Sequence, residues 1–191
     1  MSKKKKIQGP ARVYTLEVGF LSGPLLDEFV EKNPIVTRTL EIRGDQTLDD
    51  LNWCIFDAFD REEEHMFEFQ FGKKPHDRNN RCYVMPESLD GGILAGLGFG
   101  PRPAGLVNET RMDDLALAVG TIFFYWFDFG DDWWHAIRVK AISEPQFTEG
   151  KYPRVVARVG ESPPQYPFAE ELEFVGEDED EDEEADMGDE P

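Results

Sequence analysis

The run Tyr125-Trp126-Phe127-Asp128-Phe129-Gly130-Asp131-Asp132-Trp133-Trp134-His135 gathers the densest set of side chains able to do chemistry. Gly130-Asp131 is a turn signal between two apolar stretches, so the run reads as a β-hairpin. A two-residue loop of Gly130 and Asp131, or a four-residue loop from Phe129 to Asp132, gives one pairing. It sets Asp128 opposite Trp133, Trp126 opposite His135 and Phe124 opposite Ile137. Opposed residues share a face, which makes Asp128 and His135 diagonal neighbours roughly 7–8 Å apart at the backbone. A carboxylate that fixes an imidazole tautomer serves general-base work or metal ligation; the same pair, buried and satisfied, would simply lock the hairpin register. Trp126, Trp133 and Trp134 are expected to give the hairpin an aromatic surface for a protein or small ligand.

His65 is the second histidine of interest. It shares a strand face with Phe67, Phe69 and Phe71, whereas Glu68 points the other way, so His65 and Glu68 do not chelate one ion from a regular strand. On such an aromatic face it also reads as a core residue. A composite site of His65, His135 and Asp128, with Asp131 or Asp132, has the imidazole and carboxylate donors that suit zinc or iron. A divalent metal is thus the one cofactor suggested, without a complete motif. No Gly-x-Ser-x-Gly elbow is present and neither Cys54 nor Cys82 sits in a recognisable motif, so the chemistry leans away from an enzyme. His76 falls in a polar loop and is expected to be exposed.

The elements that must position these groups follow from periodicity. Val13 to Leu21 and Ile35 to Ile42 mix apolar and polar residues at period two and predict strands, with one or two helical turns from Leu25 to Lys32 between them. Thr47 is a good N-cap with Asp49 and Asp50 in the first turn, and Leu48, Leu51, Ile55, Ala58 and Phe59 form the buried stripe of the main helix. Met66 to Phe71 alternates strictly and predicts a strand. Residues 72–110 are rich in Gly, Pro and Asn and read mostly as loop, a candidate binding flap, with Arg81 to Met85 strand-like. Thr110 with Asp113 predicts a short helix through Leu117. Strands are expected from Thr121 to Asp128, Trp133 to Ile142 and Arg154 to Val159. This order predicts an α+β domain over residues 13–169, a largely antiparallel sheet backed by one long and one short helix.

Charge bounds the partners. The 191 residues hold 20 Lys or Arg and 40 Asp or Glu, a net charge of −20. Residues 170–191 carry fourteen acidic side chains and no basic one, and such a segment is expected to be a disordered tail that serves solubility or meets a basic partner. Residues 1–12 form a basic start with Lys3 to Lys6. Residues 13–169 hold 26 acidic and 15 basic groups, which disfavours nucleic-acid binding by the folded part. Lys73, Lys74, Arg78 and Arg81 read as an ordinary polar loop. Leu115 to Trp126 is too short and too aromatic to span a bilayer, and no apolar core follows the lysines, so a cytoplasmic location is expected.

These residues together resemble the plasmid pRiA4b ORF-3-like family, also described as insertion-sequence passenger or TnpR-like proteins. Val13-Tyr14-Thr15-Leu16-Glu17-Val18 is similar to the family's first strand, Ile35 to Ile42 to its second, and Thr47-Leu48 through Phe59 to its helix. His65-Met66-Phe67-Glu68-Phe69 is similar to its His-rich strand. Tyr125 to His135 with Ile137 resembles its aromatic, Asp-Phe-Gly-Asp, Trp, His, Ile signature, and Tyr152-Pro153 with Gly160 through Pro163-Pro164 its closing segment. The resemblance spans about residues 13 to 164. It implies an α+β fold and an association with bacteria, plasmids and mobile elements, without a settled activity. Several positions depart from the pattern: the helix histidine is replaced around Asn52-Trp53, the second histidine of His-x-His is Phe67, and Gln165 and Tyr166 follow Pro164. The expected role is a non-enzymatic interaction or ligand-binding module, with a metal-binding protein or metal-assisted hydrolase as the alternative.

Overall fold

The computed structural model of the chain describes residues 10–77, 79–90 and 103–168. The lysine run, Arg78, the middle of the 72–110 segment and the acidic tail lie outside the described residues. Within them the protein is an α+β domain built on one eight-stranded sheet. Its strands are β1 (Val13–Ser22), β2 (Thr37–Arg43), β3 (Phe67–Phe71), β4 (Arg81–Val84), β5 (Gly105–Leu106), β6 (Ile122–Phe127), β7 (Trp133–Ile142) and β8 (Arg154–Val159). They lie in the order β5-β4-β3-β6-β7-β1-β2-β8. Every neighbouring pair is antiparallel except β4 and β5. The helices are α1 (Asp27–Lys32), α2 (Leu48–Ala58) and α3 (Glu87–Asp90), with a 3-10 turn at Met112–Leu115.

α2 forms where local signals agree. Thr47 Oγ1 accepts from the Asp50 N–H at 3.1 Å and the Asp50 carboxylate accepts from the Thr47 N–H at 2.8 Å, a reciprocal cap that satisfies two orphan donors. Leu48, Leu51, Ile55 and Ala58 turn inward and are fully or almost fully buried. They meet the face of the sheet that carries Leu16, Leu40, Phe69 and Phe123, so the core lies between α2 and that face. The opposite face is polar across β1, β2 and β7, where Glu17 and Lys140 pair at 3.3 Å.

Two sequence expectations shift by one residue. The short helix expected to start at Thr110 is the 3-10 turn, and its first N–H bond runs from Arg111 to the Asp114 carboxylate at 3.2 Å. Asp113 is not free to cap, because it accepts from the Tyr14 hydroxyl at 2.8 Å and lies 3.5 Å from Arg12. The hairpin correction is larger. Phe127 pairs with Trp133, Trp126 with Trp134, Tyr125 with His135 and Phe123 with Ile137, so the loop has five residues, Asp128 to Asp132. An odd loop exchanges the residues of β6 alone: Phe123, Tyr125 and Phe127, in place of Phe124, Trp126 and Asp128, share the inner face with Trp133, His135 and Ile137. Its ends are Asp128 and Asp132, both at positive φ (55° and 59°), a conformation that short polar side chains tolerate. The Asp132 N–H closes the loop on the Asp128 carbonyl at 2.7 Å, and the Asp128 carboxylate accepts from the N–H groups of Gly130 and Asp131.

After β8 the chain turns back as a strap over the α2–β3 connection. Gly160 starts it at φ +71°, where a Cβ would strike the Ile35 carbonyl. Gln165 then accepts from the N–H groups of Glu62 and Glu63 and donates to the Glu63 carbonyl at 2.9 Å. Buried Arg38 gathers the parts, donating to carbonyls of Thr37, Ala58, Val159 and Gly160 and to Ser162.

Candidate functional site

The shifted register divides the residues expected to form one site into three groups. His135 faces the core, 1% exposed, between Phe59 at 4.6 Å and Tyr125 at 5.6 Å between ring centroids. Among the described residues neither of its ring nitrogens has a hydrogen-bond partner. Burial, helped by the cationic Arg61 and Arg38, holds it well below the usual histidine range, so it is a neutral imidazole. Asp128 does not face it. Trp133 lies beside His135 on the same buried face, with the Arg61 guanidinium 3.8 Å above its ring.

On the other face of the hairpin Trp126 stacks on Trp134, with centroids 5.1 Å apart and planes 12° from parallel. His76 is exposed as expected, and its ring packs edge-on against both at 4.6 Å. Asp132 accepts from the Trp134 indole at 2.8 Å. The expected surface of three tryptophans is therefore corrected: Trp133 is in the core, Trp134 is 2% exposed beneath the loop that carries His76, and only Trp126 is partly open.

The third group is assembled. Asp128 Oδ2 lies 3.4 Å from His65 Nε2, and the same nitrogen is 2.9 Å from the Tyr166 hydroxyl, which donates to Glu63 at 2.8 Å. The partner of Asp128 is thus the histidine at the start of β3, not the one on its own hairpin. Among the described residues no three His, Cys, Asp or Glu side chains gather to hold a metal, so the composite of His65, His135 and Asp128 does not assemble. Asp131 stays on the loop and is no part of such a group.

His65 opens onto a cleft of about 390 Å³ between α2 and the start of β3. Trp53, 41% exposed, stands at its rim, and its ring meets Phe56 at 5.6 Å, which meets Phe127 at 6.1 Å on the floor. Asn52 anchors this wall, its side-chain oxygen accepting from the buried Tyr125 hydroxyl at 2.6 Å. Asp49 and Glu64 add carboxylates, and burial with the neighbouring Asp50 raises the Asp49 pKa. Sequence reading missed this site. Its one signal is Trp53, a large aromatic set among Asp49, Asp50 and Asp57 on the polar side of α2, where packing does not require it. Neither thiol is activated: burial pushes Cys54 up to about 12, and burial with Glu68 pushes Cys82 up to about 11.

The model of the plasmid pRiA4b ORF-3-like proteins matches residues 28–189. The chain belongs to this family. The match runs from α1 through the strap and beyond it, so it contains the hairpin, the cleft and all three histidines. A solved structure of a protein of unknown function from Methanosarcina mazei Go1 is similar, with a TM-score of 0.58 at 20% identity over 90% of this chain and 85% of the other. That likeness is one of fold. No curated protein matches the chain. No helix among the described residues of this family member is long and apolar enough to cross a membrane.

Proposed function

We propose that this pRiA4b ORF-3-like protein is a non-enzymatic ligand-binding module whose ligand site is the cleft between α2 and β3. The observation that carries the reading is Trp53: a tryptophan left open at the rim of an aromatic-floored cleft is surface that a partner would cover. The cleft volume falls at the small end of the usual 300–1,000 Å³ range for ligand sites, which fits a small molecule or an anchoring side chain. Both thiols are raised and no serine lines the cleft, so the reading as a binding module rests on a site whose one imidazole, His65, stands beside Asp128 and Tyr166 without an activated nucleophile among the described lining residues. The family's name supports an association with plasmid-borne elements.

NMR shift mapping with benzylammonium, phenol and benzoate tests the reading. At least one probe is expected to move the resonances of Asn52, Trp53, Phe56 and His65 together. Shifts confined to other regions, or none at all, would remove it.

A metal-binding reading is favoured only by the 3.4 Å approach of His65 and Asp128. Zinc titration separates it: saturable stabilisation that is lost in His65→Ala would establish an ion there, and none would leave the pair as a strut of the rim.

A further inference from the structure

The charges around the cleft oppose one another. Asp49 and Glu64 line it and Asp128 stands beside His65, yet the Arg61 guanidinium lies 5.8 Å from the centroid of the Phe127 ring on the floor. Trp53 also lines a neighbouring groove that holds Lys151 and Arg154. Lining carboxylates with no Lys or Arg among them repel an anion, and the cations close by offset the pull on a cation. Net charge therefore selects neither sign, and the choice of ligand falls to shape and hydrogen bonding.

Asn52 supplies the decisive group. It is 4% exposed and its oxygen is taken by the Tyr125 hydroxyl, but its amide Nδ2 makes no hydrogen bond among the described residues. Buried polar groups are as a rule paired, so a donor left open on the wall of a cleft marks a place for an acceptor. Asp49 stands three residues earlier on α2, where side chains at that spacing are neighbours, and it lines the same cleft. Its carboxylate, on which Trp53 also draws, keeps lone pairs for a further donor. A donor and an acceptor thus stand side by side on one wall. The surroundings are flat or soft: Trp53 at the rim, Phe56 and Phe127 below, Met66 and Met85 at the side, thioethers that adapt to a ring.

From this juxtaposition we propose that the ligand is an uncharged planar heteroaromatic carrying an amino group beside a ring-nitrogen acceptor, the edge of adenine or cytosine. The ring lies against Trp53, the ring nitrogen accepts from Asn52 Nδ2, and the amino group, with its two N–H donors, serves the carboxylates of Asp49 and Glu64. Carboxylates and side-chain amides read base edges in this way, and every base offers a face for stacking on an aromatic side chain. The inference rests on the cleft being the ligand site and adds the class of ligand.

The test is calorimetric and NMR titration of the full chain with adenosine and cytidine. Purine riboside and uridine serve as counterparts without the amino group, and the 5′-monophosphates of adenosine and cytidine add an anion to the same rings. At least one of the two aminated nucleosides is expected to bind saturably, to shift Asn52, Trp53 and Phe56 together, and to exceed its counterpart about tenfold or more in affinity. Its monophosphate should bind more weakly. Trp53→Ala is expected to weaken binding about tenfold, and Asp49→Asn, which exchanges the carboxylate for an amide, by about fivefold or more. The comparison of ligand pairs leaves the protein unaltered, so a folding defect in a variant cannot imitate the result.

Equal binding with and without the amino group, still lost in Trp53→Ala, would overturn the ligand class and leave the cleft as the site. Tighter binding of the monophosphate would overturn the proposal through its charge argument. Binding that ignores both variants lies elsewhere and overturns the inference. If neither nucleoside binds while benzylammonium, phenol or benzoate moves the cleft resonances, the class is wrong and the cleft stands. If none of these probes moves them, the inference falls together with the cleft.

Discussion

His135 and His65 meet the same hairpin from opposite situations. His135 stands near the start of β7 with its ring sealed among Phe59, Tyr125 and Phe20 and both nitrogens unpaired among the described residues. His65 lies before β3, a third exposed, within reach of Asp128 and Tyr166 and open to the cleft. The two belong to one residue type, and both adjoin β6, His135 at Tyr125 and His65 at Phe127. What separates them is depth on the same α2-facing side of the sheet: His135 is sealed in the core and held neutral by desolvation, whereas His65 lies where the packing opens, with partners it can exchange. Aromatic neighbours therefore do not mark a site; a polar group among aromatics becomes usable only where the packing stops.

The sharpest way to break this contrast is to disturb the inner side. Trp133→Ala removes a fully buried indole and the ring on which Arg61 stacks, and the expected loss is about 3–5 kcal/mol, read from the urea midpoint. Asn52→Ala comes next. It leaves the buried Tyr125 hydroxyl without its acceptor, which costs about 1–3 kcal/mol. Adding Tyr125→Phe to that variant is expected to return part of the loss, because the orphaned hydroxyl is gone. If the double variant is no more stable than Asn52→Ala, the wall of the cleft is not held by this hydrogen bond.

How far these features could be read from sequence depended on whether one face of an element differed from the other. α2 was legible because its cap and its stripe of Leu48, Leu51, Ile55 and Ala58 agree, and β7 and β8 begin and end where their patterns do. The hairpin register was not, since Phe123, Tyr125 and Phe127 are no more apolar than Phe124 and Trp126, and alternation cannot choose between two aromatic faces. Asp128 and Asp132 at positive φ decided it, and a left-handed aspartate has no spacing to betray it. The cleft was hidden for a different reason. Its walls come from α2, from residues 64–67, from Met85 and from Phe127, which only the strand order brings together.

His135→Leu sharpens the comparison through pH. At neutral pH the exchange replaces a buried, unpaired polar ring by an apolar side chain of similar bulk, and stability is expected to stay within about 1 kcal/mol or rise. Below the ordinary histidine pKa of about 6.5 the unfolded wild-type chain takes up a proton on this ring, whereas the folded chain, held well below that value, does not. Falling pH therefore favours the unfolded state. Wild type should lose about 1.4 kcal/mol of stability per pH unit relative to His135→Leu, starting near pH 6.5 and ending where the folded ring itself titrates. Parallel curves for the two proteins across pH 5–7 would show that the ring is solvated after all, and the distinction between inner and outer histidine would collapse.

His65→Ala is expected to have the smallest effect of the series. The ring is a third exposed, its 3.4 Å approach to Asp128 is a loose contact, and Asp128 keeps its two backbone donors in the loop when the imidazole is removed. A contact this long to a partly exposed ring contributes about 0–1 kcal/mol even though Asp128 is buried, because the carboxylate stays satisfied within the loop, and Tyr166 retains Glu63 as a partner. A urea midpoint that moves by no more than that amount, with the hairpin resonances unshifted, would confirm that His65 is held by the fold without holding it. A loss of several kcal/mol would make the strap and hairpin one cooperative unit through this ring. His65 would then belong with His135 as a structural residue, and the rim would lose its freedom to answer a ligand.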